Sequence, residues 1–235
     1  MLNRSVIALL VCLLAGMAFA EQPDGKYLDG GTSKVGVILV HGRFGGQGDA
    51  TSPVVNPLRI AINNQLGFHT LSINYPQRRG SRSAEDEVGE FPAAYSRLDA
   101  AMAFLARERG VEQIFVMGHS LGTRITTSYL ARGMAPELRG YIGVGIYGDG
   151  ACERENPLNS RCNLKAILEK NPALPVIDVV AMGDAVDVRF AKGRAPLASA
   201  TYRQVPVDGA DHQFLKKEGE LVSVVIDWLK QQTRN

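Results

Sequence analysis

The chain is poor in the residues that make small scaffolds and metal centres: among 235 residues there are three cysteines, four histidines and one tryptophan. No further cysteine and no histidine pair at ligand spacing accompanies them, so no structural or catalytic metal is expected. The length is sufficient to bury a core without cross-links. Charge of either sign is nearly balanced, 26 Lys and Arg against 24 Asp and Glu, and no basic stripe interleaved with aromatics occurs. A nucleic-acid partner is therefore not expected. Nor is there an apolar run of the roughly 20 residues that a membrane-spanning helix needs. Internal repeats and low-complexity segments are also missing. What remains, 45% hydrophobic and 21% charged residues, is the composition of an ordinary globular domain.

The first 20 residues read apart from the rest. Arg4 precedes an apolar run from Val6 to Ala15, and Ala18-Phe19-Ala20 forms a small-x-small site before Glu21. This is the pattern of a cleaved secretory signal, which predicts a periplasmic or secreted protein with no stable membrane anchor and one domain over 21–235. Cys12 would leave with the signal. Cys152 and Cys162 would remain, and in an oxidising compartment they are expected to form a disulfide across a short loop.

Along the mature chain, strand and helix patterns alternate. Residues 21–33 read as a polar lead-in and Lys34 to Val40 as a buried strand. A helix is predicted from Ser52 to Leu66, with Gly67 as its stop, and Phe68 to Tyr75 as the next strand. A charged loop is expected over 77–92, where Arg78, Arg79 and Arg82 are balanced by Glu85, Asp86, Glu87 and Glu90 or, following a strand's C-terminal end, attract an anionic substrate. A helix follows over 93–109, then the strand at Ile114 and a helix over 123–132. The remaining strands are 141–147, 175–182 and 201–207, with one short helix, 164–170, in the cysteine-bearing insert. Leu221, Val224, Val225 and Trp228 mark an amphipathic C-terminal helix in which Trp228 is a core residue. His69, inside a strand, reads as a satisfied core histidine. The alternation predicts an α/β fold, a mainly parallel sheet with helices on both faces and every parallel strand's C-terminal end along one edge.

Four apolar residues, Ile114 to Met117, run directly into Gly118-His119-Ser120-Leu121-Gly122. A strand turning abruptly into a helix at such a motif holds its central residue in a strained conformation at the helix N-terminus. The segment resembles the nucleophile elbow of the α/β-hydrolase superfamily, and the resemblance extends over about residues 34–232. It implies that fold with little or no cap, and Ser120 as nucleophile. His212, the histidine that follows Ser120 in the chain, sits between the last strand and the terminal helix, where the superfamily carries its base. For the acid the resemblance favours Asp184, after the strand before last. Asp187 in the same loop and Asp149 after the preceding strand are alternatives, and Asp208 and Asp211 are assigned to shaping the histidine loop.

The turn His41-Gly42-Arg43-Phe44-Gly45-Gly46 resembles the superfamily's oxyanion turn. It implies donors at the backbone N–H of Leu121 and of Arg43, with Phe44 next in line. Phe44 and His119 are the candidate substrate contacts, although His119 is also expected to pack behind the serine, and His41 to bond within its loop. A serine at the elbow excludes the branches that use aspartate there. The resemblance implies hydrolysis of a small acyl ester or thioester through an acyl-enzyme, without a cofactor. A peptidase, an acyltransferase or a catalytically inactive binding protein on the same fold are the alternatives.

Overall fold

In the computed structural model the described residues are 22–43, 52–75, 84–148, 152 and 157–234. They form one seven-stranded sheet with the order β1-β3-β2-β4-β5-β6-β7. The strands are β1 (Gly25–Leu28), β2 (Val35–Val40), β3 (His69–Ile73), β4 (Gln113–His119), β5 (Leu138–Val144), β6 (Val176–Ala181) and β7 (Tyr202–Val207). Every pairing from β3 to β7 is parallel, and β1 joins the β3 edge antiparallel. The helices are α1 (Val55–Leu66), α2 (Ala84–Ala103, continued by a π-helical turn Phe104–Glu108), α3 (Leu121–Arg132), α4 (Ser160–Lys170), α5 (Ala185–Arg194) and α6 (Glu218–Gln232).

The near-continuous apolar strands are what a sheet covered on both faces requires. Alternate residues of β2 divide between the two layers. Ile38 and Val40 join Leu98 of α2, Ile125 of α3 and Leu164 of α4. Val37 and Leu39 join Leu58 of α1 and Val225 and Trp228 of α6. Trp228 packs edge-on to Phe115 with ring centroids 5.7 Å apart, as a core residue. His69 is buried too, its Nδ1 accepting from the Gly30 N–H at 3.0 Å and lying 2.7 Å from the Tyr27 hydroxyl.

Several elements differ from the sequence reading; β5, for one, ends at Val144 rather than at Tyr147. The polar lead-in contains β1, whose four residues hold their place through backbone pairing rather than an apolar pattern. Helix α2 begins at Ala84, not near 93, and runs through Pro92. Phe91, Ala94 and Leu98 are all buried on one face, so packing on both sides of the proline outweighs the amide it lacks. Helix α5 stands where the sequence suggests a loop, because its buried face is Asp187, Phe190, Ala191 and Arg194. A stripe with two charges gives no hydrophobic periodicity to read. The signal segment, Phe44, Arg78, Arg79, Arg82 and Asp149 lie outside the described residues.

Between β5 and β6 the described residues add one helix, α4, and no separate cap layer. Asn159 caps it by accepting from the Cys162 N–H at 3.3 Å, and the helix begins four residues before the expected Leu164. Cys152 and Cys162 are bridged, with Cα atoms 5.4 Å apart, fastening the chain after β5 to the first turn of α4. Closing so short a loop restricts the unfolded chain by at most about 3 kcal/mol. The double variant Cys152→Ser/Cys162→Ser should therefore unfold at lower denaturant by an amount within that limit. Because the bridge lies outside the hydrogen bonds that join Ser120, His212 and Asp187, the folded variant should retain its turnover. Parallel denaturation and activity assays check both halves.

Candidate active site

Strand β4 delivers Ser120 to the C-terminal edge of the sheet. Its backbone, at φ 53° and ψ −120°, lies in a region that residues with side chains rarely adopt. The surrounding structure dictates that strain. The Ser120 N–H donates to the Val144 carbonyl at 3.2 Å, while its carbonyl accepts from both the N–H and the hydroxyl of Thr123 at 2.9 and 2.6 Å. Helix α3 must also cross β2 closely: a Cβ on Gly122 would stand 2.2 Å from the Val40 carbonyl oxygen, so only glycine fits. Leu121 is the first residue of α3, where a backbone N–H has no partner within its own helix and the helix dipole favours negative charge.

His212 follows β7 in a tight loop. Asp211 builds the loop by accepting from the N–H groups of Gln213 and Leu215 at 3.0 and 2.9 Å, and Phe214 is buried at φ 55°. The imidazole reaches back across the sheet edge. Its Nε2 lies 2.8 Å from the Ser120 hydroxyl, and its Nδ1 lies 2.9 and 3.0 Å from the two carboxylate oxygens of Asp187. Asp187 is 2% exposed and the imidazole 21%, so the carboxylate is withdrawn from water and the ring edge is not. Gly145, at φ 55°, makes room for them: a Cβ there would stand 3.1 Å from both Asp187 Oδ2 and the His212 ring.

The carboxylate on His212 is therefore Asp187, not the expected Asp184. Asp184 is the N-cap of α5 and accepts from the N–H groups of Val186 and Asp187 at 2.8 and 2.9 Å. A capping carboxylate is turned toward its own helix's first amides. Asp187, inside the first turn, presents its side chain to the sheet edge.

His119 packs behind the serine, as expected, and is not the substrate contact it was also a candidate for. It is 1% exposed, and its Nε2–H donates to the His212 carbonyl at 3.0 Å. It ties the histidine loop to β4 from behind. Burial, and next the charge of His212, pushes its pKa down to about 3, so it stays neutral. His41 is buried against Tyr75, with ring centroids 4.6 Å apart, and its Nδ1 bonds the Gly42 carbonyl at 2.8 Å. Gly42 lies against the elbow, within 2.8 Å of Ser120 Cβ measured from where its own Cβ would stand, and Arg43 follows it at the surface.

One further contact surrounds the base. Tyr147, just beyond β5, sets its ring edge-to-face with His212 at 5.6 Å and with Phe190 of α5 at 4.8 Å, while the Arg124 guanidinium lies 5.1 Å over it. A lone tyrosine at a strand end carries no signal of this role in sequence.

Burial is the largest single influence on His212 and favours the neutral ring. The hydrogen bond and charge of Asp187, with Asp184 and Asp211 adding smaller attractions, outweigh it and raise the pKa above the ordinary histidine value. Two consequences follow with opposite signs. The imidazolium contributes stability that is present below about pH 6.5, the unfolded value, and that stability is lost as pH rises through the folded pKa. A reaction needing neutral His212 instead gains rate over the same window. The acid limb of kcat/KM should therefore have its midpoint above about pH 6.5 and move down in Asp187→Asn. A wild-type midpoint below that value would contradict the charge balance described.

The arrangement suits proton abstraction from Ser120 by His212 with the ring held by a buried carboxylate, the geometry of a serine nucleophile and its base.

No family model matches the chain, and no curated protein matches it. Solved structures do. An α/β serine hydrolase homologue from Coxiella burnetii aligns with a TM-score of 0.60 at 20% identity, covering 88% of each chain. Est1E from Butyrivibrio proteoclasticus, with ferulic acid bound, aligns at 0.63 and 15% identity, covering 90% of this chain and 96% of that one. A serine hydrolase without a lid from Xanthomonas campestris aligns at 0.59 and 15% identity, over 92% and 88%. The chain has the α/β-hydrolase fold, with no large cap among the described residues.

Proposed function

We propose that the protein is a serine hydrolase that cleaves carboxylic esters or thioesters through an acyl-enzyme, with Ser120 as nucleophile, His212 as general base and acid, and Asp187 as the buried carboxylate. The observation that carries this reading is the 2.8 Å approach of His212 Nε2 to the Ser120 hydroxyl, with Asp187 on the opposite nitrogen. In attack, Ser120 Oγ adds to the acyl carbon as its proton passes to His212 Nε2. The oxyanion is stabilised by the backbone N–H groups of Leu121 and Arg43, donors whose loss typically costs about 3 kcal/mol of barrier each. His212 then returns the proton to the departing alkoxide or thiolate, leaving an acyl group on Ser120. Water, deprotonated by the same nitrogen, adds to the acyl carbon, and as the acid departs His212 returns the proton to Ser120 Oγ. Throughout, Asp187 keeps the Nδ1–H tautomer and stabilises the imidazolium.

The ester assignment is supported by the absence of a cap layer among the described residues, which suits a small or extended acyl group entering from solvent, and by the likeness to Est1E, which binds ferulic acid. Export is the companion proposal, supported by the Ala18-Phe19-Ala20 site and by the Cys152–Cys162 bridge. Fluorophosphonate labelling of the folded mature protein, followed by peptide mapping, tests the reading. A single adduct on Ser120, together with turnover of p-nitrophenyl esters and none of peptides, is expected. A folded protein that takes no label would be a binding protein instead, and turnover of peptides alone would make it a peptidase.

A further inference from the structure

Helix α5 carries a second buried charge on the face that bears Asp187. Arg194, two turns on, is 1% exposed and Asp178 of β6 is fully buried. The guanidinium forks onto Asp178, Nε to Oδ2 at 2.9 Å and Nη2 to Oδ1 at 3.1 Å, while Nη1 donates to the Ile146 carbonyl at 2.8 Å. Asp178 Oδ2 accepts further from the Tyr202 hydroxyl at 2.6 Å and Gln204 Nε2 at 3.0 Å, and Gln204 also donates to the Ala191 carbonyl inside α5 at 2.8 Å. The C-terminal half of the helix is thereby fastened to the end of β5, to β6 and to β7.

Stability alone is a weak reason for such a network. Withdrawing two charges from water is costly, and hydrophobic residues of the same volume commonly stabilise as well or better. What they lack is direction. Ile146 follows Gly145, the residue against which Asp187 and His212 pack. Arg194 therefore joins the helix that carries Asp187 to the turn that backs it. Only a planar fork with donors on several edges spans Asp178 and the Ile146 carbonyl at once.

We infer that the Asp178–Arg194 pair is a positioning device for the acid: it sets the height and rotation of α5 over the end of β5, so that Asp187 holds both carboxylate oxygens on His212 Nδ1. Its catalytic half rests on the proposed role of Asp187, whereas its geometric half does not.

Two variants test it. Asp178→Asn/Arg194→Gln removes one charge of each sign, leaving net charge unchanged while breaking the fork. Arg194→Lys keeps the charge and cannot span both partners. Neither variant substitutes a group that faces His212: Asp187 and Asp184 on α5, Asp211 in its own loop, His119 and Ser120 on β4 and the elbow, and Tyr147 beyond β5. The measurements are NMR titration of His212, assigned by its loss in His212→Ala, and the pH profile of p-nitrophenyl ester turnover. In the folded variants His212 should titrate at lower pH than in the wild type. The kcat should fall by on the order of 10- to 100-fold with KM changed far less, and Arg194→Lys should retain the larger share. Folded variants with a lower thermal midpoint but wild-type titration and kcat would overturn the inference and leave the pair purely structural. If the double variant does not fold, Arg194→Lys and Tyr202→Phe, which removes one donor to Asp178, decide by the same titration. A shifted His212 titration in a protein whose turnover survives Ser120→Ala would refute the proposed function and leave the positioning intact.

Discussion

Asp187→Asn is expected to lower kcat by about 10⁴-fold, whereas Asp184→Asn should leave it within a few-fold. The two positions are three residues apart and chemically identical, but they perform different tasks. At 187 an amide can turn its NH₂ toward Nδ1 of His212, which then becomes an acceptor and moves the ring's proton to Nε2. A ring protonated on Nε2 cannot take the proton of Ser120, 2.8 Å away. At 184 the carboxylate oxygen accepts from the Val186 and Asp187 amides, and asparagine caps a helix about as well as aspartate. Removing the cap altogether with Asp184→Ala should lower stability by about 1 kcal/mol and affect rate only through the looser start of α5. Steady-state kinetics beside thermal unfolding separates these outcomes. An equal loss of kcat at both positions would return the acid to Asp184.

Ser120→Ala should reduce kcat by on the order of 10⁶-fold without unfolding the protein, because the residue is half-buried at the sheet edge and its hydroxyl bonds His212 rather than the core. Stability should distinguish two replacements of equal inactivity. Alanine keeps a Cβ and with it the strain of φ 53°, whereas glycine adopts that conformation freely. Relief of a strained backbone is worth on the order of 1–3 kcal/mol, against up to about 1 kcal/mol for the greater freedom of unfolded glycine. Ser120→Gly should therefore melt above Ser120→Ala. The reverse order would mean that the elbow relaxes when its side chain shrinks, and that the strain is not imposed by β4 and α3.

The proposed nucleophile and base are legible in the sequence because the placement of each depends on local chemistry. The elbow needs a strand, small neighbours and a helix start, all contiguous from Ile114 to Gly122. His212 needs a loop between the last strand and the last helix. The carboxylate that meets His212 is not legible, for a reason that resides in α5. Its inward face carries Asp187 and Arg194 where a hydrophobic pattern would announce a helix, so the segment reads as a loop and its first aspartate as the outstanding residue. The close approach of Gly42 to the elbow is legible because a glycine follows His41. Strand β1 is illegible for the opposite reason: its register with β3 comes from main-chain bonding to which its side chains contribute little pattern. His119 packs behind the serine as its elbow position leads one to expect, and of its two expected roles the substrate contact is the one its burial rules out.

That Asp187, the proposed acid, stands within a helix gives it an angular address. A residue added to an extended loop ahead of an aspartate can be absorbed by a wider bend. One residue added between Asp184 and Asp187 would instead rotate the carboxylate by about 100° and advance it about 1.5 Å along the axis, swinging it off Nδ1 altogether. Ala185 and Val186, between cap and acid, should thus tolerate changes of side chain while the segment rejects changes of length. Insertions ahead of the cap, at exposed Met182 and Gly183, leave the helical phase between cap and acid untouched. A scan of single-alanine insertions through 182–188 would trace that boundary as a step in activity.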